Sequence, residues 1–348
     1  MKTLEFIKER CVKVIIVHFN GYFGQSLPTE KTLSIEEIKK QLTTYDIEVF
    51  EMNLQDVANQ ELKYDEKTYY LIGSHQNPSV KKFFDEIVMI KMKDVNTIPI
   101  QHHIYAHENK VVQALLNQTY NYGLVDQKVS LVANRDVVSK KNANLVNKLS
   151  GGSGSSGVFI PKEGLTYKSY LHSITWRSLN VSDVFRFIKH RMLNIFYKLT
   201  DDNLKYNQNY YPMVMQSKLD TPGFDYKILV FYDKVYVLKR YVRKNDFRSS
   251  GSGNFEFVEN VDKSLLTYAY NMRERLAVPY VSLDIMESNR VYNCIEYQCL
   301  HFGPYTQLFA GFYYKLDTNG WVKYKRNESI EFEMSYSIGN FLKNELNV

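Results

Sequence analysis

The sequence predicts an α/β chain that becomes α+β in its C-terminal part. In the N-terminal third, short apolar runs alternate with helix-type segments, whereas from Tyr211 onward extended runs follow one another with one well-marked helix among them. Strands alternating with helices point to a parallel sheet, and consecutive strands to antiparallel pairing. With 348 residues and 44% apolar content, the chain has material for two or three packed units and lies far from the composition of disorder.

Taken in order, apolar runs at residues 12–18, 47–50 and 69–73 flank a helix-type segment at 34–45, which predicts a small parallel layer covered by helices. Near its end stand His102, His103 and His107. Neutral imidazoles are common metal ligands, yet only Glu108 offers a partner at ligand spacing, and the segment runs into the helical pattern Val111, Leu115. The reading kept is a strand end and a capped helix start. A second region begins around Gln127, with β-type runs at 129–133 and around Leu145 and Val146. Behind Ser182 and Asp183, the residues Phe185, Ile188, Met192, Ile195 and Leu199 recur at helical spacing; the basic residues Arg186, Lys189, Arg191 and Lys198 form a solvated face. Strands are then expected at 212–216, 226–231 and 234–240, the latter two joined by a tight turn at Tyr232-Asp233. A helix through Leu265, Ala269, Met272 and Leu276 leads to two last strands at 280–286 and 291–299. No internal repeat is visible.

Composition narrows the classes. The apolar stretches at 12–17 and 228–238 are short or broken by Asp233 and Lys234, so neither spans a bilayer core of about 30 Å. Glu5, Lys8, Glu9 and Arg10 interrupt the apolar run a signal peptide needs, and three cysteines, Cys11, Cys294 and Cys299, are too few for a disulfide framework. The expectation is a cytoplasmic protein. A net charge of +6 over this length attracts anions weakly and selects no partner, and no aromatic-basic interleaving or recognition helix indicates nucleic acid.

Three segments carry chemistry. Lys148 precedes a loop, residues 150–157, that contains Gly151, Gly152, Ser153, Gly154, Ser155, Ser156 and Gly157 between two short apolar runs. Glycines let successive backbone N–H groups converge on phosphate oxygens, and the lysine adds charge. The spacing fits neither a P-loop nor a dinucleotide fingerprint, so on residues alone a plain loop and a phosphate clamp stand level. Downstream, Asp284 and Glu296 lie within apolar runs, where an acid needs a cation or donors. A three-residue turn at Ser288-Asn289-Arg290 sets Asp284 opposite Cys294 and Glu296 diagonally from Asp284 on one face, roughly 7 to 8 Å away; a two-residue turn puts the acids on opposite faces. Gln298 shares the face of Glu296, and two carboxylates with an amide oxygen suit Mg²⁺. Between these lie Lys239-Arg240 and the basic, glycine-containing run 244–253 with Arg248, suited to phosphate oxygens.

In this order the residues resemble the ATP-grasp superfamily, in particular the branch of the ribosomal-protein glutamate ligase and related carboxylate-amine ligases, over about residues 125–315. The family's lysine before a small glycine-rich loop is matched by Lys148 and Gly151 to Gly157. Its strand past the adenine is matched by Val214-Met215-Gln216, with Lys218 and Asp220 beyond. Its lysine-arginine, spacer, Phe-Arg-Ser and glycine pair are matched by Lys239, Arg240, Phe247, Arg248, Ser249, Gly251 and Gly253. Its aspartate followed by Glu-x-Asn is matched by Asp284 and Glu296-Tyr297-Gln298, with glutamine in place of asparagine. The N-terminal part, including Gly73-Ser74-His75-Gln76-Asn77 and Ala106-His107-Glu108-Asn109-Lys110, is similar to the α/β domain preceding the ATP-grasp unit in such ligases. The chain is also similar, in context more than chemistry, to ATP-grasp proteins of bacterial surface-polysaccharide gene clusters.

The resemblance implies an ATP-grasp fold with a pre-ATP-grasp α/β domain at 1–120, a first subdomain at 121–212 and a second at 213–348. It implies ATP and Mg²⁺ as cofactors and activation of a carboxylate, small-molecule or saccharide, as an acyl phosphate for attack by an amine. Lys148, Gly151, Gly152, Ser153, Gly154, Ser155, Ser156 and Lys239 would hold phosphates, while Met215, Gln216 and Lys218 would line the adenine site. Arg240 and Arg248 would act on the phosphoryl group, and Asp284, Glu296 and Gln298 would bind magnesium. A kinase that stops at a phosphorylated product and a nucleotide-binding scaffold are the alternatives.

Overall fold

The computed structural model describes residues 11–133, 145–151, 157–160, 210–243, 248–249, 251 and 253–344, with scattered positions between 185 and 206. The predicted helix at 182–199 and residues Gly152, Ser153, Gly154, Ser155 and Ser156 lie largely or wholly outside them.

The N-terminal layer holds β1 (Lys13–His18), α1 (Ile35–Thr43), β2 (Glu48–Asn53), α2 (Leu54–Asn59), β3 (Thr68–Ile72), α3 (Pro78–Lys91) and β4 (Asn96–Ile98). The strands pair in parallel in the order β2-β1-β3-β4, as the alternation predicts, and all five residues of β3 are buried. Ser34 caps α1 by accepting from the Glu37 N–H.

Next come α4 (Gln101–Tyr105), α5 (Lys110–Tyr120), β5 (Gln127–Ala133), β6 (Leu145–Leu149), β7 (Val158–Phe159) and β8 (Tyr210–Ser217), the four strands forming an antiparallel sheet β5-β8-β6-β7. The glycine-serine loop joins β6 to β7, with Lys148 opposite Val158. The expected subdomain boundary at 212/213 falls inside β8, which pairs with both β5 and β6; the change of sheet comes after Ser217.

The rest is β9 (Phe224–Phe231), β10 (Lys234–Tyr241), β11 (Phe255–Phe257), α6 (Lys263–Leu276), β12 (Tyr280–Ser288), β13 (Val291–Gln298), α7 (Tyr305–Phe309), β14 (Phe312–Asp317), β15 (Gly320–Lys325) and α8 (Ile330–Asn344). The strands make a seven-stranded sheet, β13-β12-β9-β10-β14-β15 with β11 beside β10. The turn at Tyr232-Asp233 is tight as expected, with Phe231 facing Lys234. Everything after β13 goes beyond the elements expected from sequence.

Alternation divides this sheet. Ile228, Val230, Leu283 and Ile285 pack on one face under α6, and Leu229, Phe231, Tyr236 and Tyr280 pack on the other against α8 and the N-terminal layer. Along the second face the apolar residues give way, two by two, to Asp225, Lys227, Arg240 and Asp284. The candidate site lies on that charged half. Among the described residues no helix is long and apolar enough to cross a membrane.

Candidate active site

The acidic hairpin turns through two residues, not three. Asn289 and Arg290 take φ values of 52° and 63°, and Ser288 faces Val291. Regular pairing from such a turn would put Glu296 and Asp284 on opposite faces. A bulge restores the phase: Ile285 pairs with Cys294 and Asp284 with Glu296, leaving Ile295 as the extra residue. The two acids therefore stand directly across the ladder, closer than the diagonal placement expected. The bulge also frees the Ile295 carbonyl, which accepts from Lys148 Nζ at 3.3 Å and Gln127 Nε2 at 3.4 Å.

Asp284 sits between two cations from its own sheet, with Oδ1 2.9 Å from Lys227 Nζ and Oδ2 3.2 Å from Arg240. Arg240 also donates to both oxygens of Asp225, at 2.8 and 3.0 Å. Register brings these together, since Lys227 pairs with Asp284 and Arg240 with Asp225. Burial pushes the Asp284 carboxyl up, but Arg240 and Lys227 outweigh it and hold the group well below the usual range. For Asp225 burial wins over Arg240, and its carboxyl is raised. Burial opposes the Arg240 charge too, and the two aspartates more than compensate, raising it.

The facing wall comes from β6 and the start of α5. Lys148 is 4% exposed, and burial pulls its ammonium down to about 8 against the opposing pull of Glu296. Lys110 reaches Glu296 Oε1 at 3.5 Å. Its backbone N–H donates to the Ser150 carbonyl, and the Ser150 hydroxyl donates to Asn109, the cap of α5, so the helix start is tied to the mouth of the glycine hairpin. Between the walls is a cleft of about 280 Å³ with apolar sides from Val146, Val158, Met286 and Ile295.

Of the residues expected here, Lys148, Gln216, Lys218, Arg248, Asp284 and Glu296 line this cleft, and Arg240 stands behind Asp284. Gly151 lies in the turn after β6, outside the lining, and Gly152 to Ser156 lie outside the described residues. Two expected residues are elsewhere. Met215 is one step out of phase with Gln216, on the face of β8 opposite the cleft, with its backbone inside the ladders to β5 and β6. Lys239 alternates away from Arg240 and lies over the rings of Phe224 and Tyr241 at 4.0 and 5.1 Å. Gln298 is adjacent, but its oxygen accepts from His107 Nδ1 and the Glu108 N–H.

The sequence assigns no site role to Lys110, Lys227 and Asp225. The signal for Lys227 and Asp225 was their spacing of two on a strand before Arg240; Lys110 had none beyond its place behind a helix cap. The three histidines form no metal cluster: His103 is 2.9 Å from the Leu276 carbonyl, and among the described residues no group of three or more His, Cys, Asp or Glu is placed to hold an ion. Asp284 and Glu296, two hard oxygen donors side by side, do fit a magnesium ion that shares its shell with phosphates.

A scan of protein-family models finds no match, nor does a search of curated proteins. Solved structures do match. D-cycloserine synthetase aligns over 95% of this chain and 99% of its own at 9% identity, with a TM-score of 0.51. A RiPP-associated ATP-grasp ligase from Chryseobacterium gregarium, in complex with ADP and a leader and core peptide, aligns over 96% and 97% at 12% identity and 0.49. D-alanine–D-alanine ligase from Bacillus anthracis complexed with ATP aligns over 97% and 99% at 10% identity and 0.48. The likeness is one of fold, shared with the D-cycloserine synthetase over nearly the whole of both chains.

Proposed function

We propose that the chain is an ATP-dependent ligase that activates a carboxylate as an acyl phosphate for attack by an amine. One observation carries the reading: in an ATP-grasp fold, a pair of opposed carboxylates, Asp284 and Glu296, meets Lys148 and Lys110 across an apolar-sided cleft. The proposed division is a pre-ATP-grasp unit at 1–120 and two subdomains meeting at the cleft, 121–212 and 213–348, with the second boundary moved past Ser217.

Val146, Val158, Met286 and Ile295 would enclose the base, and the chain leaving β8, from Gln216 to Asp220, would read its edge and the sugar. Lys148 and Arg248, with the glycine loop, would bind and orient the phosphates, and Arg240 would neutralise the phosphoryl group. Asp284 and Glu296 would hold magnesium, which supplies neutralisation of charge developing on the phosphates. The cleft excludes no carboxylate class, and nothing in the described residues favours a saccharide.

The test is interception. With ATP, Mg²⁺, a matched carboxylate and hydroxylamine in place of the amine, the parent protein forms a hydroxamate, and Glu296→Gln forms it at least roughly 10²-fold more slowly. A stable phosphorylated product without hydroxamate would establish a kinase instead, and ATP binding without turnover on any carboxylate a scaffold.

A further inference from the structure

Gln298 occupies the position where the resemblance implies a metal-binding asparagine, yet its surroundings assign it differently. Its Oε1 accepts from the Glu108 backbone N–H at 3.2 Å and from His107 Nδ1 at 2.9 Å. A backbone N–H can only donate, so the orientation of the side-chain amide is fixed, with oxygen toward residues 107 and 108. The nitrogen then faces Glu296 and donates to Oε1 at 3.3 Å. The anchor is firm: His107 is 5% exposed, and both residues lie just before the capped start of α5. Burial keeps the His107 ring neutral. An asparagine, one methylene shorter, would not bridge from the Glu108 N–H to Glu296.

We propose that Gln298 is a positioning residue and not a metal ligand: anchored by His107 and the Glu108 backbone, it donates to Glu296 and fixes that carboxylate, leaving Asp284 and Glu296 as the chain's own ligands to the ion. This rests on the magnesium site of the ligase reading.

The experiment is Mn²⁺ binding to the full chain saturated with ADP, followed by electron paramagnetic resonance, with inner-sphere waters counted by proton relaxation. Gln298→Met and His107→Leu should each weaken Mn²⁺ by about 10-fold or more, the range for partners of metal ligands. The double variant should be no weaker than Gln298→Met, because both act through one contact. The water count in Gln298→Met should equal that of the parent. An additional inner-sphere water in Gln298→Met, or parent affinity in His107→Leu, overturns the proposal. If His107→Leu does not fold, the water count alone decides. Asp284→Asn and Glu296→Gln separate the two levels. If they abolish Mn²⁺ binding while the water count rises in Gln298→Met, only the inference fails; if they leave it unchanged, or the parent binds no Mn²⁺, the metal reading fails and the inference with it.

Discussion

Arg240 shows what one side chain does at this site. Its guanidinium spans Asp225 and Asp284, bonding both oxygens of the first carboxylate and holding the second ionised at the wall of the cleft. Arg240→Lys keeps the charge but cannot give Asp225 two bonds and still reach Asp284. Urea unfolding should show a loss of about 1–3 kcal/mol. In Asp225→Asn/Arg240→Lys the losses should fall well short of their sum, because both substitutions break the same bonds. Additive losses would mean that the pair does not act as a unit. Asp284 was visible in the sequence as an acid inside an apolar run and Arg240 as a basic residue suited to phosphate oxygens; their partners Lys227 and Asp225 were not, since pairing across strands depends on register.

At the scale of the element, the acidic hairpin combines a left-handed two-residue turn with a bulge. Either alone would part the acids; together they align them. Arg290 holds φ 63° with a Cβ, a conformation glycine adopts without that penalty. Arg290→Gly should therefore stabilise the protein by about 0.5–1 kcal/mol, read from the urea midpoint, without moving Asp284 or Glu296. A lower midpoint would show that the Arg290 side chain contributes more than its backbone costs. The β-type runs on either side of the turn were legible, but whether two residues or three close it was not. This bulge has no glycine to mark it in the sequence, and it arises where two ladders must be reconciled.

At the scale of the molecule, one face of the seven-stranded sheet serves as core at one end and as cleft floor at the other. α8 seals the core end through a buried pair, Lys234 Nζ to Glu333 at 2.9 Å, with the Tyr236 hydroxyl donating to the same carboxylate. Lys234→Met should cost about 3–5 kcal/mol in urea unfolding, and Lys234→Met/Glu333→Leu should recover most of it, since only the single variant leaves a buried charge unpaired. Three buried histidines weaken the fold as pH falls. Burial lowers His103 and His107 to about 3 and His301 to about 4. Their folded values lie below the unfolded value, so their contribution is complete above about pH 6.5 and is lost as pH falls toward 4. Stability should fall by on the order of 1.4 kcal/mol per pH unit for each histidine in that window. His301→Asn, if folded, should remove one of the three contributions; a urea midpoint that stays flat from pH 6.5 to 4.5 would refute this account.

The sequence by itself determined the local pieces: the parallel N-terminal layer, the Lys148 glycine hairpin, the Tyr232-Asp233 turn and the helix at Lys263–Leu276. These follow from periodicity and turn chemistry, which act over a few residues. It also showed Asp284 and Glu296 as charges that needed partners. Only the tertiary structure decided which partners they have. Lys227 comes to Asp284 through strand order, Lys110 to Glu296 through the docking of α5, and Met215 and Lys239 turn away because a strand has two faces. Gln298 gives its oxygen to a backbone N–H that lies 190 residues away in sequence. Such contacts depend on how sheets pack, and packing is a property of the whole chain, which no short run of residues specifies.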